Sequence, residues 1–270
     1  MHQKFRCVAS FDSSMVMRWF HIKRFAIPLG TRRVLREAIP TSSPSIADYR
    51  RIGTLSFEET QNPDNKTGQL SAFFLHGLLG SGRNWRSFSG SLLSALSNPD
   101  SETQIDWRMV LIDLRNHGMS AELKSLTPPH DIPNSARDIA DLVKTRGWNW
   151  PEIVIGHSMG GKVALQYLEA AARGDYGASV ALPKQLWVLD SAPGEVTSNR
   201  GDGEVEMVIK ALQSLPSSLP SRRWVVNHMT EKGFSRALAD WVGSNLKKVG
   251  DHEEWCFNLE GAIEMYESYR

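Results

Sequence analysis

The sequence predicts an α/β protein: a mostly parallel sheet flanked by helices, with a helical cap after the fourth strand. Three observations predict it. Continuous apolar runs alternate with helical periodicities between residues 70 and 190. Glycine-bearing turns follow the first and third of these runs. From about residue 203 onward only helical patterns are read, with no strand between them. Strand–helix alternation of this kind implies a parallel sheet covered on both faces.

Leu70–Leu75 (LSAFFL) is a continuous apolar run, as a strand buried on both faces requires. Gly77 and Gly80 end it, and Asn84–Leu96 follows as a helix carrying Trp85, Phe88, Leu92, Leu93 and Leu96 near helical spacing. Met109–Leu114 (MVLIDL) is the second strand. A Pro-rich loop over Ser125–Pro133 leads to a helix through Val143, which Asn134 or Ser135 is placed to cap. Glu152–Ile155 is the third strand, Gly161–Ala172 a helix, and Gln185–Asp190 (QLWVLD) the fourth strand. Val205–Leu215, Ser235–Leu246 and Glu254–Tyr269 read as cap helices. The expected organisation is a leader over 1–46, a core over 47–200 and a cap region over 201–270.

The chain has 270 residues, 41% of them hydrophobic, enough for one large globular core. A net charge of +1 argues against binding nucleic acid through phosphate contacts. The charge is unevenly placed. Residues 1–46 carry eight Lys/Arg against two acids, and the rest carries 23 basic against 28 acidic residues. The basic, serine-bearing leader has the composition of an organelle transit peptide, which predicts a mitochondrial or chloroplast location; the alternative is a basic tail and a cytoplasmic protein. Two cysteines, Cys7 and Cys256, make a disulfide framework improbable and fit a reducing compartment. No 18-residue apolar run is present, so no transmembrane segment is expected.

Chemistry enters at Gly156-His157-Ser158-Met159-Gly160, which fits G-x-S-x-G between a strand and a helix. A nucleophile at such a turn takes a strained backbone, so its neighbours must be small, and Gly156, Gly160 and Gly161 meet that need. The Ser158 hydroxyl is expected above the sheet at a helix N-terminus, where N–H dipoles favour the negative charge of a tetrahedral intermediate. His76-Gly77-Leu78-Leu79-Gly80-Ser81 closes the first strand. Its glycines let the backbone aim N–H groups at the site, and the expected oxyanion hole is formed by the N–H groups of Leu78 and Met159. His76 reads best as a hydrogen-bonded residue that shapes this loop. Asp113–Ser120 (DLRNHGMS) ends the second strand and reads as a structural tie to the same loop.

HGLLGSGRNW, LIDLRNHGMS and GHSMGGKVAL, in this order, resemble the α/β-hydrolase superfamily. Within it they resemble the esterase-like branch that includes α/β-hydrolase domain protein eleven and its plant and bacterial relatives. The resemblance runs from about Leu70 to Tyr269. It implies the α/β-hydrolase fold and serine-dependent hydrolysis of an ester, thioester or lipid-like acyl substrate, a small molecule, with no cofactor and no metal. It also implies a catalytic acid at the end of the strand after the nucleophile helix, which matches Asp190. A cap-helix acid matching Glu260 is the second choice. On the residues alone Asp190 is preferred, because its strand lies beside that of Ser158, whereas a glutamate on an amphipathic helix usually faces solvent.

A serine hydroxyl needs a histidine to take its proton, and the expected chain order is Ser, acid, His. After Asp190 only His228 and His252 remain, both in the expected cap, and no catalytic histidine is found. The family continues past the cap with two more strands, a histidine loop and a final helix. The chain therefore reads as a truncated isoform or an incomplete gene model, with little or no esterase turnover expected. The alternative reading is a non-catalytic binding protein of the same fold. An aspartate nucleophile is excluded by Ser158, no zinc-ligand cluster is visible, and HGLLGSG has no matched ribose-binding acid about 20 residues on. A fusion of residues 1–46 to a fluorescent protein is expected to enter an organelle; a diffuse cytosolic signal would reject the targeting reading.

Overall fold

The computed structural model describes residues 54–61, 70–96, 106–194 and 203–270. The leader, including Cys7, lies outside them. Five strands form one sheet: β1 (Phe57–Gln61), β2 (Leu70–Leu75), β3 (Trp107–Ile112), β4 (Ile153–His157) and β5 (Gln185–Leu189), in the order β1-β3-β2-β4-β5. β2, β3, β4 and β5 are mutually parallel, and β1 runs antiparallel to β3 at one edge. The expected mostly parallel sheet is thus present.

The apolar runs form strands because helices cover both faces. Phe73, Leu75, Val110, Ile112 and Val154 pack against α2 (Ile132–Arg146), α3 (Met159–Arg173) and α7 (Leu259–Tyr269). Ala72, Phe74, Met109, Leu111, Ile153 and Ile155 face α1 (Arg86–Leu96) on the other side. Phe74 packs between Trp85 and Phe88, with ring centroids 5.6 and 6.3 Å away. Each fully buried large side chain contributes roughly 1.5–3 kcal/mol of burial free energy.

α2 begins earlier than expected. Asp131, not Asn134 or Ser135, is its cap, accepting the Asn134 N–H at 2.7 Å. Pro133 sits in the first turn, where no backbone donor is needed. Gly147, with φ of +61°, ends the helix.

The segment after β5 differs from the all-helical expectation. α4 (Gly203–Gln213), α5 (Arg222–Glu231) and α6 (Arg236–Gly243) are followed by a hairpin of β6 (Leu246–Val249) and β7 (His252–Trp255), and only then by α7. The expected helix over Glu254–Tyr269 therefore starts five residues late, and α5 lies where no element was expected. The hairpin sets Lys247 opposite Glu254 and Lys248 opposite Glu253, with Lys247 reaching Glu122 at 2.8 Å, and turns at Gly250, with φ of +58°. α5 is capped by Ser221, which accepts the Trp224 N–H at 3.1 Å, and buries Val225, Val226 and Met229. These residues join Val208, Leu212, Leu219, Ala239 and Val242 in a second apolar cluster. Met229 is buried there, while Trp224 and Trp241 are half-buried against it. Met265 of α7 belongs instead to the cluster under the main sheet.

Among the described residues no helix is long and apolar enough to cross a membrane. Phe74→Ala is expected to cost about 3–5 kcal/mol of stability. Gly90→Ala, inside α1, is expected to add about 0.5–1 kcal/mol, because a methyl there meets no atom within 4 Å. Urea denaturation measures both.

Candidate active site

The four parallel strands end at one rim. His76 follows β2, Asp113 follows β3, Ser158 follows β4 and Asp190 follows β5. The chain passes from β2 to β3 in one direction, then returns across β2 to β4 on its other side. Ligand crevices of open α/β sheets form at such reversals. Here the β2 and β4 ends meet directly. A Cβ on Gly77 would lie 3.3 Å from the Ser158 Cβ and 3.1 Å from the His157 Nδ1.

Ser158 occupies the turn between β4 and α3 with φ of +51° and ψ of −119°, a region that costs a non-glycine residue roughly 1–3 kcal/mol. Its surroundings hold it there. The Ser158 N–H donates to Leu189 O at 2.9 Å, and Ser158 O accepts the Gly161 N–H at 2.8 Å. Only glycine fits beside it: a Cβ at Gly156 would stand 2.2 Å from Gly160 O, and one at Gly160 would stand 2.5 Å from both Leu75 O and His76 O. Ser158 itself is half-buried, at the N-terminus of the 15-residue α3.

The His76–Ser81 loop is tied to the Asp113–Ser120 loop by two imidazoles. His76 Nδ1–H donates to Gly77 O at 2.8 Å, and its Nε2 accepts the Leu114 N–H at 3.0 Å. His117 Nδ1–H donates to Arg115 O at 2.8 Å, and its Nε2 accepts the Leu79 N–H at 3.0 Å. Both rings are buried. Asp113 adds a third tie, accepting the N–H groups of Gly82 at 2.7 Å and Met119 at 2.8 Å. Neither the Leu78 nor the Met159 N–H donates to a protein acceptor among the described residues.

Burial sets the electrostatics. It pushes the His76 imidazole down to about 3, helped by the nearby His117, and the His117 imidazole down to about 4. It also raises the Asp113 carboxyl to about 6, against the two N–H bonds that favour its charge. Arg115 is buried but fully used, paired with Asp138 through two bonds of 2.7 and 2.8 Å and donating to Pro129 O at 2.8 Å.

Asp190 is adjacent to the elbow, at φ of +48°. Its Oδ2 lies 3.9 Å from the His157 Nε2. Burial lowers the His157 basicity, and Asp190 partly restores it. Sequence reasoning missed this pair. The signal for it is register: His157 lies opposite Leu189 in the β4–β5 pairing, so Asp190 follows one residue later. Glu260 is exposed in the first turn of α7. That helix docks on Asn116, whose O accepts the Asn258 N–H at 2.8 Å. His228 stacks on Trp224 within α5 at 5.1 Å, and His252 pairs with Glu254 at 3.2 Å in the hairpin. Among the described residues no group of three His, Cys, Asp or Glu side chains could hold a metal ion.

Two expectations follow. Gly160→Ala should destabilise the protein by about 3 kcal/mol, since the clashing atoms are backbone carbonyls that cannot swing away. Lowering the pH from 6.5 to 4 should also destabilise it. The unfolded chain protonates its histidines near 6.5, whereas the native imidazoles resist until about 4 and about 3, so the stability they confer above 6.5 is lost as the pH falls. Carboxyls raised by burial, Asp113 to about 6 and Asp138 and Glu59 in the same direction, oppose this by binding protons earlier in the native state, while His157, also lowered by burial, adds to it. Thermal melts across this range measure the balance.

Comparison with known proteins finds relatives in sequence and in fold. The chain is 27% identical over 190 residues to the sn-1-specific diacylglycerol lipase ABHD11 of Mus musculus, covering 69% of this chain and 54% of that protein. It is 28% identical over 208 residues to Esterase YbfF of Escherichia coli (strain K12), covering 76% and 69%. The chain spans about half the length of the first curated relatives it matches. A solved marine microorganism esterase shares the fold with a TM-score of 0.60 at 24% identity, over 78% of this chain and 71% of that one. Residues 72–257, well over half of the chain, match the model of the alpha/beta hydrolase family, and the protein belongs to that family.

Proposed function

We propose that this protein is a serine hydrolase of carboxylic ester, thioester or lipid-like acyl substrates, with Ser158 as nucleophile. The observation that carries the proposal is the elbow. Ser158 is held at a positive φ, at the N-terminus of α3, with Gly77 so close that a Cβ there would lie 3.3 Å from the Ser158 Cβ, and the nearby chain carries two backbone N–H groups, those of Leu78 and Met159, that no described protein group accepts. The names of the relatives, a diacylglycerol lipase and an esterase, support ester chemistry.

In this reading Ser158 Oγ attacks the substrate carbonyl carbon, and its proton passes to a base. The carbonyl oxygen becomes an oxyanion that accepts the Leu78 and Met159 N–H groups, aided by the positive end of α3. On collapse the base gives its proton to the departing alcohol or thiol, leaving an acyl-serine; water, deprotonated by the same base, then releases the carboxylic acid as the proton returns to Ser158 Oγ. Asp190 is the first choice for the acid that orients the base and stabilises its charge once protonated, and Glu260 the second. None of four imidazoles is assigned as that base: His76 and His117 have both ring nitrogens engaged, His228 stacks on Trp224 and His252 pairs with Glu254. The same observation favours a second reading, a non-catalytic binding protein built on the hydrolase fold. The basic leader supports a mitochondrial or chloroplast location for either.

A fluorophosphonate probe separates the two readings, because it labels an activated serine and spares an idle one. The hydrolase reading expects labelling of Ser158, and Ser158→Ala to abolish both labelling and hydrolysis of short p-nitrophenyl esters while the fold persists. Activity retained in that variant would sink the nucleophile assignment. An unlabelled but folded protein supports the binding reading.

A further inference from the structure

We propose that His117 is a positioning residue for the oxyanion loop, fixing the loop through the Leu79 N–H so that the preceding Leu78 N–H stays free beside Ser158. The inference rests on the reading of Ser158 as nucleophile.

The two imidazoles form a reciprocal stitch. Each loop supplies one ring and one N–H to the other: His76 takes the Leu114 N–H and His117 takes the Leu79 N–H, both at 3.0 Å. The rings lie 5.1 Å apart, tilted by 57°. Each Nδ1 has a carbonyl oxygen at 2.8 Å, which fixes the proton there and leaves Nε2 as the acceptor. Rotating the His117 ring would break both bonds at once in a fully buried place, where an unpaired N–H or carbonyl is costly.

Leu79 makes this stitch matter for the site. Its φ is +58°, a conformation leucine does not favour, so something outside the loop must hold it. Its side chain is buried in the second apolar cluster, and its N–H is held by His117. One peptide earlier stands Leu78, the proposed oxyanion donor. His117 also bridges to Phe257, at the start of the segment that leads into α7. Through its ring and its backbone, one buried residue therefore joins the oxyanion loop, the β3 loop and the chain that follows the hairpin.

The test uses the full chain, reacted with a fluorophosphonate probe under conditions that separate the limiting labelling rate from the half-saturating probe concentration. His117→Leu removes the acceptor; His117→Gln places an amide oxygen where Nε2 stood. The expected result is at least a tenfold fall in limiting rate for His117→Leu, with half-saturation within twofold. His117→Gln should recover to within threefold of the unaltered protein. Equal rates for His117→Leu and the unaltered protein, an effect confined to half-saturation, or His117→Gln as slow as His117→Leu would each overturn the inference. Because a buried apolar replacement can unfold the loop, a second measurement uses the unaltered protein. Histidine ¹⁵N spectra at pH 7 should show His117 protonated on Nδ1 alone, and the Leu79 amide should exchange slowly. A protonated Nε2 or fast Leu79 exchange overturns it. Failure of the unaltered protein to label at Ser158 removes the serine reading and this inference together; normal labelling in a folded His117→Leu variant removes this inference alone.

Discussion

Gly160 lies so near the end of β2 that a methyl group on it would stand 2.5 Å from the carbonyl oxygens of Leu75 and His76. This contact joins the turn that carries Ser158 to the loop that follows β2. It lets the start of α3 press against the strand beside it, and it fixes where Ser158 sits relative to Gly77. A wider gap would separate the serine from the N–H groups proposed to receive the oxyanion. The same turn relies on Gly156, whose Cβ would overlap Gly160 O. Three glycines around one strained serine thus set the spacing of the rim, and the strain is sustained by the sheet. Ser158 N–H is anchored on Leu189 O, at the end of the neighbouring strand.

Around that contact the loops are built from buried polar groups that satisfy one another. Asp113 gathers two N–H groups, Ser120 Oγ donates to Asp113 O, and the Ser56 N–H in turn donates to that Oγ. Desolvation makes each charge costly, so Asp113 and Ser120 persist as bonded members of a network, while the buried Ser56 Oγ and Asn116 Nδ2 beside them have no hydrogen-bond partner among the described residues. The second apolar cluster adds a different kind of order. Leu78 and Leu79 contact the cluster formed by α4, α5, α6 and Phe257, so the segment after β5 packs directly on the loop that follows β2. Apolar packing above and hydrogen bonds below then hold the same few residues.

Much of this was legible in the sequence, for a physical reason. Strands buried on both faces must be apolar throughout, so LSAFFL and MVLIDL declare themselves, and the elbow needs glycines at fixed spacing. β1 was not legible, because an edge strand is half-solvated: Glu58 and Glu59 reach Arg86 and Arg108 instead of a core. The β6–β7 hairpin was missed because its strands, LKKV and HEEW, are rich in Lys and Glu, which helices use equally well; the Gly250-Asp251 turn was the available signal. Pro216 and Pro220 hid α5, although Ser221 is an ordinary cap. At the site, motif residues were legible one by one, while their partners were not. The bond from Leu79 to His117 spans 38 residues, and only folding pairs them. Likewise, the His157–Asp190 pair depends on the β4–β5 register.

The chemistry of the histidines follows from where folding places them. A general base works best when its pKa lies near the operating pH, since it must be free to accept a proton and strong enough to keep it. His76 at about 3 and His117 at about 4 fail on strength, and both lack a free nitrogen. The properties that disqualify them suit them to another task. A buried imidazole that stays neutral keeps its lone pair across the pH range in which the protein is stable, so the N–H it holds stays held. His157 stands between these cases, weakened by burial and partly restored by Asp190 on the next strand. Histidines within a few residues of the elbow or its neighbouring loops are therefore sorted by desolvation and hydrogen bonding, not by proximity to Ser158. The imidazole that would serve as base must keep a solvent-like basicity, and such basicity requires a place on the open side of the rim, away from the stitched loops beneath it.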